Sequence, residues 1–128
     1  MKKLWFGTFV FLICSFFLLS QAPNNLDSII IYKGEVAGTG PGLSVIKMAL
    51  DEVVTVIAKG VDAEGNEVLI APTWKADKEL TIIQVEGKGK TVKIKLKEAP
   101  AVAAYFECVK IREDGKKITA GVAVELKK

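Results

Sequence analysis

The sequence predicts an all-β chain, an antiparallel β-sandwich of about seven strands preceded by an N-terminal signal helix. Three observations carry that expectation. From Asp27 onward, apolar and β-branched residues recur with period two. Gly, Pro and Asp-Gly clusters interrupt these runs every 10 to 15 residues or so. No apolar stripe holds helical spacing for long. About 100 residues are enough for two sheets, each burying its apolar face on the other.

Taken in order, Ser28 to Lys33 carries Ile29-Ile30-Ile31-Tyr32 and reads as the first strand. Gly34 to Gly42 holds four glycines and Pro41, so it is a kink or loop. Leu43 to Met48 reads as a short edge strand. Val53 to Val61 has Val54, Val56 and Ala58 on one face and Val53, Thr55 and Ile57 on the other. Both faces are largely apolar, which places this strand mid-sheet. Asp62 to Asn66 is a turn, with Gly65 free to take positive φ. Val68 to Trp74 resumes extended structure through Pro72, which suits an edge or a bulge.

Leu80 to Val85 and Thr91 to Lys97 flank Glu86-Gly87-Lys88-Gly89-Lys90, the composition of a hairpin loop. In the second strand of that pair, Val92, Ile94 and Leu96 alternate with Lys93, Lys95 and Lys97, giving one buried and one wet face. Ala101 to Ile111 places Val102, Ala104, Phe106 and Cys108 on one side. Glu113 to Lys116 is a hairpin turn. The last strand, Ile118 to Leu126, is expected to bury Ala120, Val122, Val124 and Leu126.

The first 22 residues are of another kind. Met1-Lys2-Lys3 is a positive head, Leu4 to Leu19 is an apolar run, and a polar stretch follows. That is the layout of a secretory signal peptide, and the run is short for a membrane span. Cleavage is expected after Ser20, because a cut after Ala22 would set Pro23 beside it. The expected organisation is a signal peptide at 1–20, a linker at 21–26 and one β-sandwich domain at 27–128. The alternatives are an uncleaved anchor, the only membrane contact the sequence suggests, and a lipoprotein attached at Cys14. The latter is opposed by the large residues Phe11-Leu12-Ile13. Export implies a periplasmic, cell-surface or secreted location. Cys108 is then the only cysteine of the exported part, so the fold holds without an internal disulfide.

Composition narrows the function. The 128 residues carry 18 Lys+Arg against 15 Asp+Glu, a net charge of +3. Without Lys2 and Lys3 the chain is nearly neutral, which removes the electrostatic case for nucleic-acid binding. Histidine is absent, which excludes His-based triads and most zinc sites.

The run VVTVIAKGVDAEGNEVLIAPTW, Val53 to Trp74, resembles a bacterial immunoglobulin-like (Big-type) domain. Such domains show an alternating strand, then Asp-x-x-Gly-Asn, then a strand ending near Pro-x-Trp. Here those residues are Asp62, Gly65 and Asn66, then Pro72 and Trp74. The resemblance implies an immunoglobulin-like sandwich with Trp74 between the sheets, used for structure, adhesion or binding, with no catalytic residues and no cofactor. Phe106-Glu107-Cys108 falls where a vertebrate immunoglobulin domain has Tyr-x-Cys, but the partner cysteine is missing.

Other motifs are weaker. Gly87-Lys88-Gly89-Lys90-Thr91 imitates part of a phosphate-binding loop, yet a strand follows where that motif needs a helix. Asp62, Glu64 and Asn66 have the opening spacing of a calcium loop but lack its distal Glu. Lys88, Lys90, Lys93, Lys95 and Lys97 are expected to line one solvent face and its loop. They are candidate contacts for an acidic partner such as a surface polysaccharide, or else charges that guard a strand against aggregation. The sequence therefore points to an exported, non-catalytic module at the cell envelope, with an unknown protein or surface polymer as partner. Its alternative is carbohydrate or anionic-polymer binding through the lysine face, and for Trp74 a sugar-stacking surface ring.

Overall fold

The computed structural model describes residues 23–128; the expected signal peptide at 1–20, with Cys14, lies outside them. Nine strands follow one another: β1 (Ser28–Lys33), β2 (Val45–Met48), β3 (Val53–Val61), β4 (Glu67–Val68), β5 (Thr73–Ala76), β6 (Leu80–Val85), β7 (Lys88–Leu96), β8 (Ala104–Ile111) and β9 (Lys117–Leu126). Among the described residues there is no helix. One sheet runs β1-β3-β7-β6, with β4 paired to the end of β3; the other runs β2-β9-β8-β5. Every pairing is antiparallel except β2 with β9, which is parallel.

Alternation fills the space between the sheets. One sheet turns Ile29 and Ile31, Val54, Val56 and Ala58, and Val92, Ile94 and Leu96 inward. The other presents Ile46 and Met48, Val122 and Val124, and Phe106 and Cys108. Each fully buried aliphatic side chain contributes about 1.5–3 kcal/mol, so packing alone can hold the fold. The single free cysteine among the described residues, Cys108, is one of these core side chains.

β1, β3 and β6 run where the sequence places them, and β3 lies mid-sheet between β1 and β7. Other expectations need correction. The extended stretch Val68 to Trp74 is not one strand, because the chain changes sheets within it: β4 joins the first sheet, β5 joins the second, and Pro72 sits in the connection. β7 starts at Lys88, so the hairpin loop shrinks to Glu86-Gly87. β8 starts only at Ala104, which leaves Val102 outside the ladder and 85% exposed. Leu126, at the end of β9, is also exposed rather than buried.

Candidate functional site

The outward face of the β1-β3-β7-β6 sheet is divided in two. At one end Tyr32, Ile57 and Thr91 stand side by side on three strands. All three are buried, although their side chains point away from the core between the sheets. The glycine-rich segment covers the Tyr32 end of this row. The Tyr32 hydroxyl donates to the Gly40 carbonyl at 2.7 Å, and Lys59 Nζ donates to the Gly38 carbonyl at 3.3 Å. A Cβ on Gly42 would lie 2.6 Å from the Ile31 carbonyl oxygen, so only glycine allows this approach.

At the other end of the face stand the lysines, Lys93 and Lys97 exposed and Lys95 half-buried. Val92, Ile94 and Leu96 point inward, so Lys93, Lys95 and Lys97 project outward. Lys93 lies between Thr55 and Ile83, and Lys95 between Val53 and Thr81. Among the described residues the only ion pairs are Lys90 with Glu67 and Arg112 with Asp114, so no carboxylate sits within 4.0 Å of these three ammonium groups. Lys90 does not belong to their row. It lies where the register of β7 against β6 shifts, and its Nζ is 3.8 Å from Glu67 Oε2. Lys88 opens β7 opposite Val85, beyond a break in register. The five lysines are thus an outward row of three and two further residues at the far end of the strand.

A cleft of about 530 Å³ opens between the glycine-rich segment, the start of β7 and the β4–β5 connection. Its charged walls are Glu35, Glu67 and Lys90, and Ile57 and Thr91 lie beneath. Val36 and Leu69, 81% and 79% exposed, add apolar surface. Sequence reading passed over Glu35, Val36, Glu67 and Leu69, which belong to irregular or two-residue segments with no periodicity to single them out. The cleft joins apolar contact to charges of both signs, a lining suited to binding and without a nucleophile–base pair.

The residues of the Asp62–Trp74 signature act in the fold. Asp62 Oδ1 accepts from the backbone N–H groups of Glu64 at 3.0 Å and Asn66 at 2.8 Å, and Gly65 takes φ 87°. Its Oδ2 accepts from Asn66 Nδ2 at 3.4 Å. The carboxylate therefore closes its own turn, and the calcium-loop spacing has a local explanation. Trp74 is 8% exposed, faces inward and stands 6.4 Å from the Phe106 ring, centroid to centroid. Its Nε1 donates to the Gly89 carbonyl at 3.2 Å. Trp74 is a core residue and offers no ring face for a sugar.

Three more polar groups tie this end of the sandwich together. Lys110 is buried, its Nζ donates to the Ala71 carbonyl at 3.1 Å, and burial lowers its pKa. Arg112 Nη1 reaches the Leu26 carbonyl at 3.2 Å while the same guanidinium pairs with Asp114. The hydrogen bond from Arg112, reinforced by the Lys116 N–H, holds the Asp114 carboxyl down at about 2. Cys108 is pushed up to about 12, first by burial and then by the charge of Glu107, so its thiol stays protonated and unreactive near neutral pH.

No family model, curated protein or solved structure matches the chain.

Proposed function

We propose that the chain is an exported, non-catalytic immunoglobulin-like module, with a structural, adhesion or protein-interaction role at the cell envelope. The observation that carries this reading is the strand order. β1-β3-β7-β6 faces β2-β9-β8-β5, and the first strands divide between the sheets through the glycine-rich kink. That order corresponds to the constant-type immunoglobulin arrangement, with β2 as an added edge strand. The inward Trp74 on β5 beside Phe106 supports the same reading. The charged head and apolar run before Ser20 support export. The test is fractionation of cells expressing the full sequence, followed by cross-linking in the intact envelope. The reading expects protein outside the cytoplasm, beginning at Gln21, cross-linked to an envelope component. Uncleaved protein in the cytoplasm would refute it.

A second reading is favoured by the outward row of Lys93, Lys95 and Lys97, which has no carboxylate within 4.0 Å among the described residues. It is binding of an anionic polysaccharide or polymer along β7. Retention on an acidic polysaccharide should then fall steeply with salt and be lost on combined Lys93→Glu and Lys95→Glu substitution. Retention that ignores both salt and charge reversal would end it.

A further inference from the structure

Tyr32, Trp74 and Phe106 are buried, so Tyr105, 57% exposed, is the one aromatic ring that the described residues offer to solvent. Its neighbour Phe106 points into the core, which puts Tyr105 on the outward face of the β2-β9-β8-β5 sheet, on the other side of the sandwich from the lysine row. A cleft of about 400 Å³ opens beside the ring, lined by Lys75, Asp77, Glu107 and Gly121. Two hydrogen bonds fix one wall of it. Tyr105 N–H donates to Asp77 Oδ2 at 2.9 Å, and Asp77 N–H donates to the Tyr105 carbonyl at 2.9 Å. Asp77 Oδ1 accepts no bond from the described residues.

Gly121 lies inside β9, opposite Glu107. Glycine weakens a strand interior, and where it occurs it marks a bulge, a bend or the close approach of something else. The register of β8 against β9 is unbroken, and Gly121 is not among the positive-φ glycines. A Cβ at Gly121 would come no closer than 3.7 Å to the Phe106 carbonyl oxygen and 3.9 Å to Glu107 Cβ, which is ordinary contact. Nor does Tyr105 shelter it, as a cross-strand aromatic can shelter a strand glycine, because no Tyr105 atom comes within 4 Å of that Cβ position. The fold has room for a side chain here, and the sequence omits it beside the exposed ring.

We propose that this cleft binds a neutral sugar, a β-linked glucose-type pyranose unit, stacked on Tyr105 and seated over Gly121. The chemistry of the walls selects that ligand. Such a pyranose has a flat face of axial C–H bonds and a rim of equatorial hydroxyls. The face suits an exposed aromatic ring. Glu107 and Asp77 Oδ1 can accept from the hydroxyls, and Lys75 can donate to them. Lys75 and Glu107 stand directly opposite each other on β5 and β8 yet form no ion pair, so both are available to a ligand. The same groups discriminate against other classes: the two carboxylates repel an acidic polymer, and Lys75 repels a cationic peptide. Beyond the ring the apolar row continues over Ala123 to Val45, 48% exposed, about 10 Å across the sheet, which leaves floor for a second unit. With one stacked ring, binding is in the millimolar range.

Titration of the isotope-labelled protein, purified after expression of its full sequence, with cellotetraose and with chitotetraose tests this by amide chemical shifts. The expected result is saturable shifts centred on Lys75, Asp77, Tyr105, Glu107 and Gly121. Tyr105→Ala should weaken binding roughly tenfold, and Tyr105→Phe, which keeps the ring, should stay within about threefold of the parent. Gly121→Val fills the floor of the cleft and should also weaken binding roughly tenfold. Its urea midpoint should nevertheless stay at or above the parent's, because valine suits a strand better than glycine, and a folding defect would not give that combination. Absence of shifts with both sugars at about 20 mM overturns the proposal. Shifts centred on Lys93 and Lys95 overturn it as well, and so does binding that survives both Tyr105→Ala and Gly121→Val.

Discussion

Replacement of Trp74 tests whether the sandwich is held as described. The ring is 8% exposed, packs against Phe106 and donates to the Gly89 carbonyl. Burying a tryptophan removes roughly 150–250 Å² from water. At about 25 cal/mol per Å² this is worth roughly 4–6 kcal/mol, an upper bound because the unfolded chain already hides some of that area. β5 is an edge strand and can close part of the void, so Trp74→Ala should cost about 3–4 kcal/mol, near the low end for such deletions. Trp74→Phe retains most of the contact and loses the hydrogen bond. Gly89 is exposed, so water can take over its carbonyl, and the cost should be about 1–2 kcal/mol. Urea titration followed by far-UV circular dichroism reads both variants, as midpoint shifts at unchanged slope. A loss below about 1 kcal/mol for Trp74→Ala would refute the core assignment, because surface changes fall in that range.

Three further outcomes follow from the same geometry. Gly42→Ala should cost about 1–3 kcal/mol, because its Cβ meets the Ile31 backbone; Gly65→Ala has open space and only the φ 87° penalty, about 1 kcal/mol, so urea midpoints should rank the pair. A thiol reagent should label Cys108 only as fast as the chain unfolds, and rapid stoichiometric labelling of native protein would contradict its burial. Asp114 binds its proton at about 2 in the folded chain and near the ordinary carboxylate value, about 3.9, when unfolded. Its contribution is therefore complete above pH 4 or so and is lost as the pH falls through 2. Thermal melts between pH 5 and 2 should fall less steeply for Asp114→Asn than for the parent.

Strand positions were legible wherever one face is wet and the other dry. Val92, Ile94 and Leu96 against Lys93, Lys95 and Lys97 left one choice of orientation, and burial follows it residue by residue. The pattern failed where the backbone, not the side chains, decides. Val68 to Trp74 looks continuous, but the chain leaves one sheet and enters the other between Val68 and Thr73. Val102 has the parity of Ala104 and Phe106, yet parity has no meaning before the ladder begins. Lys90 failed for a related reason: the register of β7 breaks against Val85, so the lysines at its two ends answer to different neighbours. The cleft was invisible because its walls come from segments far apart in sequence.

The glycine-rich segment explains a feature of β3 that alternation posed without resolving. Both faces of that strand are apolar, and a sandwich offers a second sheet to only one of them. Along the outward row exposure falls from 46% at Val53 to 3% at Ile57, a gradient within five residues of one strand. The cover is mainly backbone: the carbonyls of Gly38 and Gly40 engage Lys59 and Tyr32, and Gly42 lies flat against Ile31. Such a cover leaves no hydrophobic pattern in the sequence, because backbone carbonyls make it and only at Gly42 would a Cβ strike the backbone beneath. It also ends before the lysines. The same loop therefore creates a dry half over Ile57 and leaves the wet half around Lys93 and Lys95. Any binding role for the lysine row must be confined to the open end of this face, where Val53 stands beside Lys95 and is 46% exposed.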